Sequence, residues 1–208
     1  MTVHKLSSLG AFGTNCYIVE TENKNAILID APCQPKLILS AVEGLGLTVK
    51  AILLTHGHCD HIEAVDNIVS QTSCKVYIHE ADAKMLTDRM LSLAGYFGTP
   101  FSSFEGADTL TDGDTITFDD VTFKVISTPG HTAGSVCYVS DDIIFSGDTL
   151  FYNSIGRTDF PGGDYKTILS SIAKLKTLGK NYIVHPGHDR STDLYSEFET
   201  NPFLNDLR

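Results

Sequence analysis

The 208-residue chain is poor in basic residues and has no long apolar run. Lys and Arg number 15 against 26 Asp and Glu, which gives a net charge of −11. Because phosphate binding needs clustered Lys and Arg, we expect no nucleic-acid partner. No stretch approaches the roughly 18 apolar residues of a membrane helix, and no secretion signal opens the chain. We therefore expect no membrane association and a cytoplasmic protein.

The chain also lacks the cysteine pattern of a disulfide-stapled or CxxC protein. Its five cysteines, an odd number, form no CxxC pair. Without a secretion signal, this favours reduced thiols. Cys59 stands apart because it lies among histidines, and it would be either a further ligand or a redox-sensitive thiol. We expect instead that its side chain turns away from them.

The densest feature of the chain is the sequence THGHCDH at 55–61. It follows the apolar run 51–54, which predicts a buried strand with the histidines on the loop at its carboxyl end. Neutral imidazole is the commonest protein ligand for zinc-like metals, and a carboxylate adds negative charge. The alternative is a helix-capping Asp60 beside solvent-facing histidines. The density of donors favours a metal site.

Three further candidate ligands also follow strand-like runs. His131 lies in TPGHT, Asp148 in SGDT and His188 in HPGHD. Glycine beside each one permits a tight turn. Ligands at the carboxyl ends of several strands converge on one crevice of an α/β sheet. Each motif is weak by itself, but together with the first cluster they predict a single site.

The hydrophobic pattern predicts strands in hairpins, with helices following each half. This favours an α/β fold of two packed sheets with helices outside, a four-layer αββα sandwich, in one domain over 1–208. Two segments, 91–105 and 150–163, are interpreted as loops, the first covering the core or acting as a lid. Predicted strands are 16–20, 26–30, 50–54, 76–79, 115–118, 121–127, 135–139, 143–146 and 182–184, and predicted helices are 35–45, 62–70, 80–88 and 165–178.

With these motifs assembled, the chain resembles the metallo-β-lactamase superfamily, and within it the glyoxalase II-like hydroxyacylglutathione hydrolases. The resemblance runs from Asn15 to Pro202. It is carried by THGHCDH at 55–61, PGHT at 129–132, GDTLF at 147–151, GRTDF at 156–160 and PGH at 186–188. It implies the sandwich fold and a site for two divalent metal ions.

In detail, the resemblance implies that each metal has its own donors. The first metal would bind His56, His58 and His131, the second Asp60, His61 and His188, and Asp148 would bridge them. Zinc suits this donor set well, and iron or manganese also fit. Two such ions can share a hydroxide that attacks a carbonyl carbon, and Asp60 would orient it and take part in proton transfer.

The substrate implied by the resemblance is a small thioester such as S-lactoylglutathione or a related low-molecular-weight thiol ester. Arg157 would contact a carboxylate of the thiol carrier, and its alternative is a loop salt bridge with Asp159 or Asp164. About twenty residues follow His188. We therefore expect a compact version without the C-terminal helical domain that supplies further basic glutathione contacts in full-length glyoxalase II.

Other functions stay open at this point. A persulfide dioxygenase would use one iron on His56, His131 and Asp148, although Ile155 and the sequence PGGD at 161–164 favour a hydrolase. A lactonase, another small-ester hydrolase or a β-lactamase is a further alternative. A non-catalytic metal-binding module fits poorly with a complete donor set.

Overall fold

The computed structural model describes residues 1–207, and Arg208 lies outside them. In this range the strands form two six-stranded sheets and a small hairpin. The first sheet contains β1 (Thr2–Leu9), β2 (Thr14–Glu20), β3 (Asn25–Ile29), β4 (Thr48–Leu53), β5 (Lys75–His79) and β6 (Asp108–Leu110). They lie side by side in chain order, antiparallel from β1 to β3 and parallel from β3 to β6.

The second sheet is built from the following half of the chain. It contains β7 (Thr115–Phe118), β8 (Val121–Ser127), β9 (Val136–Ser140), β10 (Ile143–Gly147), β13 (Ile183–Pro186) and β14 (Thr192–Asp193), and the hairpin is β11 (Leu150–Phe151) with β12 (Ser154–Ile155). The strand order is β14-β13-β10-β9-β8-β7. The pair β10 and β13 is parallel, so these two strands end at the same edge.

Helices cover the outer face of each sheet. The α-helices are α1 (Pro35–Gly44), α2 (Cys59–Ile62), α3 (Val65–Thr72), α4 (Ala94–Phe97), α5 (Tyr165–Lys176) and α6 (Leu194–Thr200), and 3-10 helices span Glu80–Leu86 and Pro202–Leu207. None of these described helices is long and apolar enough to cross a membrane.

The alternation of side chains along each strand separates the layers. In β2, Ile18 faces a cluster shared with α1 and α3, whereas Tyr17 and Val19 face a cluster that also contains Phe123 and Tyr138 of the second sheet. Such strands are buried on both faces, because a helix layer lies on one side and a sheet on the other. The expected four-layer αββα sandwich is therefore confirmed.

Several predicted boundaries were wrong. Strand β1 was not predicted, and neither were β6, β14 and the hairpin inside the predicted loop 150–163. The predicted helix 80–88 is a 3-10 helix over Glu80–Leu86, and the predicted helix 62–70 begins at Val65 as α3, with Ile62 the last residue of α2. The strand predicted over 26–30 ends one residue earlier, because Asp30 leaves it with a φ of 61°.

Candidate metal centre

Four chain segments bring donors to one edge of the two sheets. The loop after β4 carries His56 and His58, and the first turn of α2 directs Asp60 and His61 to the same side. The loops after β8, β10 and β13 carry His131, Asp148 and His188. The site therefore lies where the carboxyl ends of strands from both sheets meet, as expected for an α/β fold.

All seven predicted donors lie together. Within the described residues, three groups have ligand atoms no more than 4.8 Å apart: His56 with His58 and His131; His56 with His61 and Asp148; and Asp60 with His61 and His188. The carboxylate of Asp148 lies between the sets, 3.5 Å from His131 Nε2 and 3.4 Å from His188 Nε2. This placement agrees with the arrangement that the resemblance implies.

Hydrogen bonds to neighbouring groups fix the orientation of the donor side chains. His61 Nδ1 is 2.8 Å from Asp30 Oδ2, and His131 Nδ1 is 2.7 Å from the carbonyl oxygen of Arg157. Metal-binding histidines commonly donate their second ring N–H to a carboxylate or carbonyl in this way. Thr14 Oγ1 donates to Asp60 Oδ2 at 2.9 Å and so fixes that carboxylate as well.

Three buried atoms of the cluster make no hydrogen bond with any described group: His56 Nε2, His58 Nε2 and Asp148 Oδ1. Buried polar atoms normally have a partner, since leaving one without costs roughly 1–3 kcal/mol. Imidazole nitrogen and carboxylate oxygen are the donor atoms that zinc-like ions bind. The cluster thus fits divalent metal ions.

The electrostatics of the cluster divide it into two parts. Burial, together with the neighbouring imidazoles, lowers the pKa of His56 far below its usual range and that of His58 to about 3. These two rings are therefore neutral, which is the form that binds a metal. Burial also opposes protonation of His188, but Asp148 and Asp60 outweigh it and raise its pKa to about 10. The same carboxylates would attract cations to this side of the cluster.

Comparison with known proteins agrees with this geometry. Residues 9–188 match the family model of the metallo-beta-lactamase superfamily. The chain belongs to that superfamily.

Similar members of the superfamily cover almost the full length of the chain. The hydroxyacylglutathione hydrolase GloC of Haemophilus influenzae is 34% identical over 200 residues, which are 94% of each chain. Among solved structures, the B3 metallo-beta-lactamase BLEG-1 has a TM-score of 0.92 at 36% identity and covers 98% of this chain and 100% of its own. TTHA1623, solved in a di-iron-bound form, has a TM-score of 0.87 at 35% identity, with 97% and 100% covered.

Several glycines beside the cluster leave no room for a side chain, and two of them, Gly130 and Gly187, directly precede donors. A Cβ on Gly187 would collide with Asp148 Oδ1 and lie 2.7 Å from His61 Cε1. Gly130 has a φ of 130° and packs directly against the backbone of Ile168 in α5. The PGH motifs are thus explained by close packing next to His131 and His188.

Two buried carboxylates near the cluster were missed by the sequence analysis. Asp30 accepts hydrogen bonds from the backbone N–H and the hydroxyl of Thr55, both at 2.8 Å, in addition to facing His61. The sequence held an indication of this role, since Asp30 follows an apolar strand as the other site residues do. Asp82 had no such signal, because it lies in a 3-10 helix and all its partners are distant in sequence.

A cavity of about 180 Å³ opens in front of the cluster and contains Arg157 at its wall. The guanidinium makes two hydrogen bonds of 2.7 Å to Asp159 and lies 3.8 Å from the ring centroid of Phe160. The salt bridge considered as an alternative is therefore present, and the side chain also faces the cavity. Cys59 lines this cavity but belongs to none of the three donor groups that the described residues form.

Proposed function

We propose that this metallo-hydrolase cleaves small thioesters, with S-lactoylglutathione and related low-molecular-weight thiol esters as its substrate class. The observation that carries the proposal is the convergence of seven donors, three of them with unpartnered buried atoms, on an open cavity. The similarity to the hydroxyacylglutathione hydrolase GloC supports a thioester over other esters. The partner in this proposal is a small molecule.

The proposal places two divalent ions in the cluster, most suitably zinc. His56, His58 and His131 would hold one, Asp60, His61 and His188 the other, and Asp148 both. Bound there, such ions supply Lewis acidity and lower the pKa of a water molecule. Iron is the second candidate metal, since the similar protein TTHA1623 has been solved with two irons.

The chain's own residues would orient the reactants. Asp60 lines the cavity and keeps a fixed orientation through Thr14, so its carboxylate is placed to accept a proton from a water molecule at the cluster. Arg157 would bind a carboxylate of the thiol carrier by exchanging its partner Asp159. A thiolate leaves readily, so no separate general acid is needed at the sulfur.

The test is hydrolysis of S-D-lactoylglutathione, followed as loss of thioester absorbance, by protein whose metal content has been measured. We expect turnover that persists without oxygen and stops with a chelator. His58→Ala and Asp148→Ala should each lower kcat/KM by at least about a hundredfold. His4→Ala is the matched control, because His4 lies on β1 outside the cluster and pairs with Glu20 of β2.

A second candidate function is hydrolysis of β-lactams, favoured by the likeness to BLEG-1. A lactam and a lactone should be assayed beside the thioester with the same metal-loaded protein. Turnover of those alone would replace the thioester proposal. Oxygen uptake with glutathione persulfide, and one iron per chain, would instead indicate the persulfide dioxygenase considered from the sequence.

A further inference from the structure

The cavity in front of the metal cluster has apolar walls. Phe12, Leu93, Phe97 and Phe160 line it together with the cluster residues. Phe12 comes from the turn between β1 and β2, Leu93 and Phe97 from the segment around α4, and Phe160 from the loop before α5. Three separate parts of the chain thus supply aromatic or aliphatic surface at the point where a substrate's carbonyl group would lie.

The aromatic side chains form a continuous row over the cluster. The ring centroids of Phe12 and Phe97 are 5.1 Å apart, and those of Phe97 and Phe160 are 5.8 Å apart. Phe160 in turn lies 6.0 Å from the ring of His58, a metal-site donor. These are edge-to-face contacts, which hold aromatic rings in defined orientations. An apolar group of a substrate bound at the cluster would therefore contact this row.

Leu93 is held in place at a cost in backbone energy. Its φ of 68° is left-handed, a conformation that costs an aliphatic residue on the order of 1 kcal/mol. The preceding residue, Ser92, accepts a hydrogen bond of 2.8 Å from the backbone N–H of Cys59, within the donor segment. Leu93 is 3% exposed and forms part of the cavity wall. Strained backbone of this kind is typical of ligand-contacting positions.

The cavity offers one cationic side chain to a substrate. Among the described residues lining this cavity and a neighbouring one of about 220 Å³, Arg157 is the single Arg or Lys, and it is paired with Asp159. The neighbouring cavity shares Phe12 and Asp60 with the first and adds Glu63. A substrate carboxylate would therefore have one cationic partner, Arg157, and would have to replace Asp159 there, whereas an uncharged apolar group could contact the cavity walls without such an exchange.

We propose that the site selects thioesters with a compact apolar group, branched aliphatic or aromatic, next to the scissile bond, and that Phe97 is a main determinant of this selectivity. The inference rests on the proposed thioester hydrolysis. The apolar group is either the acyl substituent or the thiol substituent, since both flank the same carbonyl carbon.

The test has two substrate arms. In the first, S-isovaleryl-N-acetylcysteamine is compared with S-lactoyl-N-acetylcysteamine, so that only the acyl group changes. In the second, S-acetyl benzyl mercaptan is compared with S-acetyl-N-acetylcysteamine, so that only the thiol changes. Each kcat/KM is divided by the rate constant for alkaline hydrolysis of the same ester. This division corrects for differences in intrinsic reactivity among the esters.

We expect the metal-loaded protein to prefer the apolar ester by about tenfold or more in at least one arm. Phe97→Ala should reduce that preference by about tenfold, and Phe97→Leu should restore most of it. Tyr96→Ala is the matched control, because Tyr96 is the adjacent residue, is 74% exposed and is absent from the lining of both cavities. It should leave the preference unchanged.

The outcomes separate this inference from the proposed function. Hydrolysis of all four esters without an apolar preference, or a preference that Phe97→Ala does not alter, would overturn the inference and leave thioester hydrolysis intact. Lack of turnover of all four esters and of S-lactoylglutathione, in folded protein with a measured metal content, would overturn both.

Discussion

At the scale of single residues, Asp82 connects the two loops that carry His56, His58 and His131. One carboxylate oxygen accepts hydrogen bonds from the backbone N–H of Gly57 at 3.0 Å and from the hydroxyl of Thr132 at 2.7 Å. The other accepts from the backbone N–H of Gly134 at 2.8 Å. A buried acceptor with three donors from two loops fixes the distance between those loops, and with it the spacing of the imidazoles.

Replacing Asp82 by alanine should therefore weaken both the fold and the cluster. Two buried N–H groups would lose their acceptor, which predicts a loss of about 2–4 kcal/mol in the free energy of unfolding. Metal affinity should fall by about 10- to 100-fold, as is usual when a group supporting metal ligands is removed. Urea unfolding and metal titration measure the two effects. Glu80→Ala, at an exposed position of the same 3-10 helix, should change neither, and normal metal affinity in Asp82→Ala would contradict the assigned role.

The surroundings of His185, which is not a member of the metal cluster, predict that the stability of the fold depends on pH. Its ring lies 4.9 Å from that of Tyr17, and its Nδ1 is 2.7 Å from Ser191 Oγ. Burial, and to a smaller degree the charge of Lys5, lowers the pKa of His185 to about 4. The folded protein therefore binds fewer protons than the unfolded chain between about pH 4 and 6.5, so the stability contributed by neutral His185 is present above pH 6.5 and lost as the pH falls.

The expected size is on the order of 1 kcal/mol, because the side chain is partly exposed and solvent screens its charge. His185→Asn removes the titrating group. The difference in the free energy of unfolding between wild type and this variant should shrink between pH 7 and pH 5, measured by urea unfolding at equal metal content. A difference that is constant over this range would show that His185 keeps an ordinary pKa.

At the scale of elements, the loop that follows β13 can lie close to the cluster because Gly187 has no side chain. An added methyl group would press on Asp148 and His61, so Gly187→Ala should displace a ligand and lower both metal content and kcat/KM by at least about tenfold. Gly44→Ala is the matched control, since an added Cβ there would meet no atom from elsewhere in the fold within 4 Å, and alanine favours its helix. Full metal content in Gly187→Ala would show that the β13 loop can shift without cost.

The elements also show what sequence patterns can and cannot predict. Strands β2 to β4 were predictable because each contains a short apolar run that is buried between a helix layer and the other sheet. Strand β1 was missed because its side chains are mostly half-buried or exposed, as befits an edge strand with a mixed sequence. The candidate donors could be named from the sequence because each of their motifs is local. Asp82 and Phe97 were not identified, since their contacts join segments far apart in the chain.

At the scale of the whole molecule, the chain carries a net charge of −11 and gathers Asp30, Asp60 and Asp148 around one cluster. Divalent cations would offset this concentration of negative charge, and they would bind the folded state, which brings the donors together, more tightly than the unfolded chain. Removal of metal with a chelator should therefore lower the midpoint of thermal unfolding by several degrees or more.

Calorimetry of the metal-free and reconstituted protein checks this expectation, and elemental analysis should return two ions per chain on reconstitution. Asp148→Ala serves as the comparison, because a variant without the shared carboxylate should respond less to added metal. Equal unfolding temperatures with and without metal in the wild type would contradict the coupling of metal binding to the fold.

The division of the donors between the two sheets has a consequence for engineering. His56, His58, Asp60 and His61 belong to the half of the chain that forms the first sheet, and His131, Asp148 and His188 to the half that forms the second. Residues 111–114 join the halves at exposed positions. A chain divided there would yield two fragments that each hold an incomplete set of donors. Catalytic activity would then appear only when the fragments have reassociated. A split-enzyme sensor needs this property, and the activity of such a sensor could be switched on by adding metal ions.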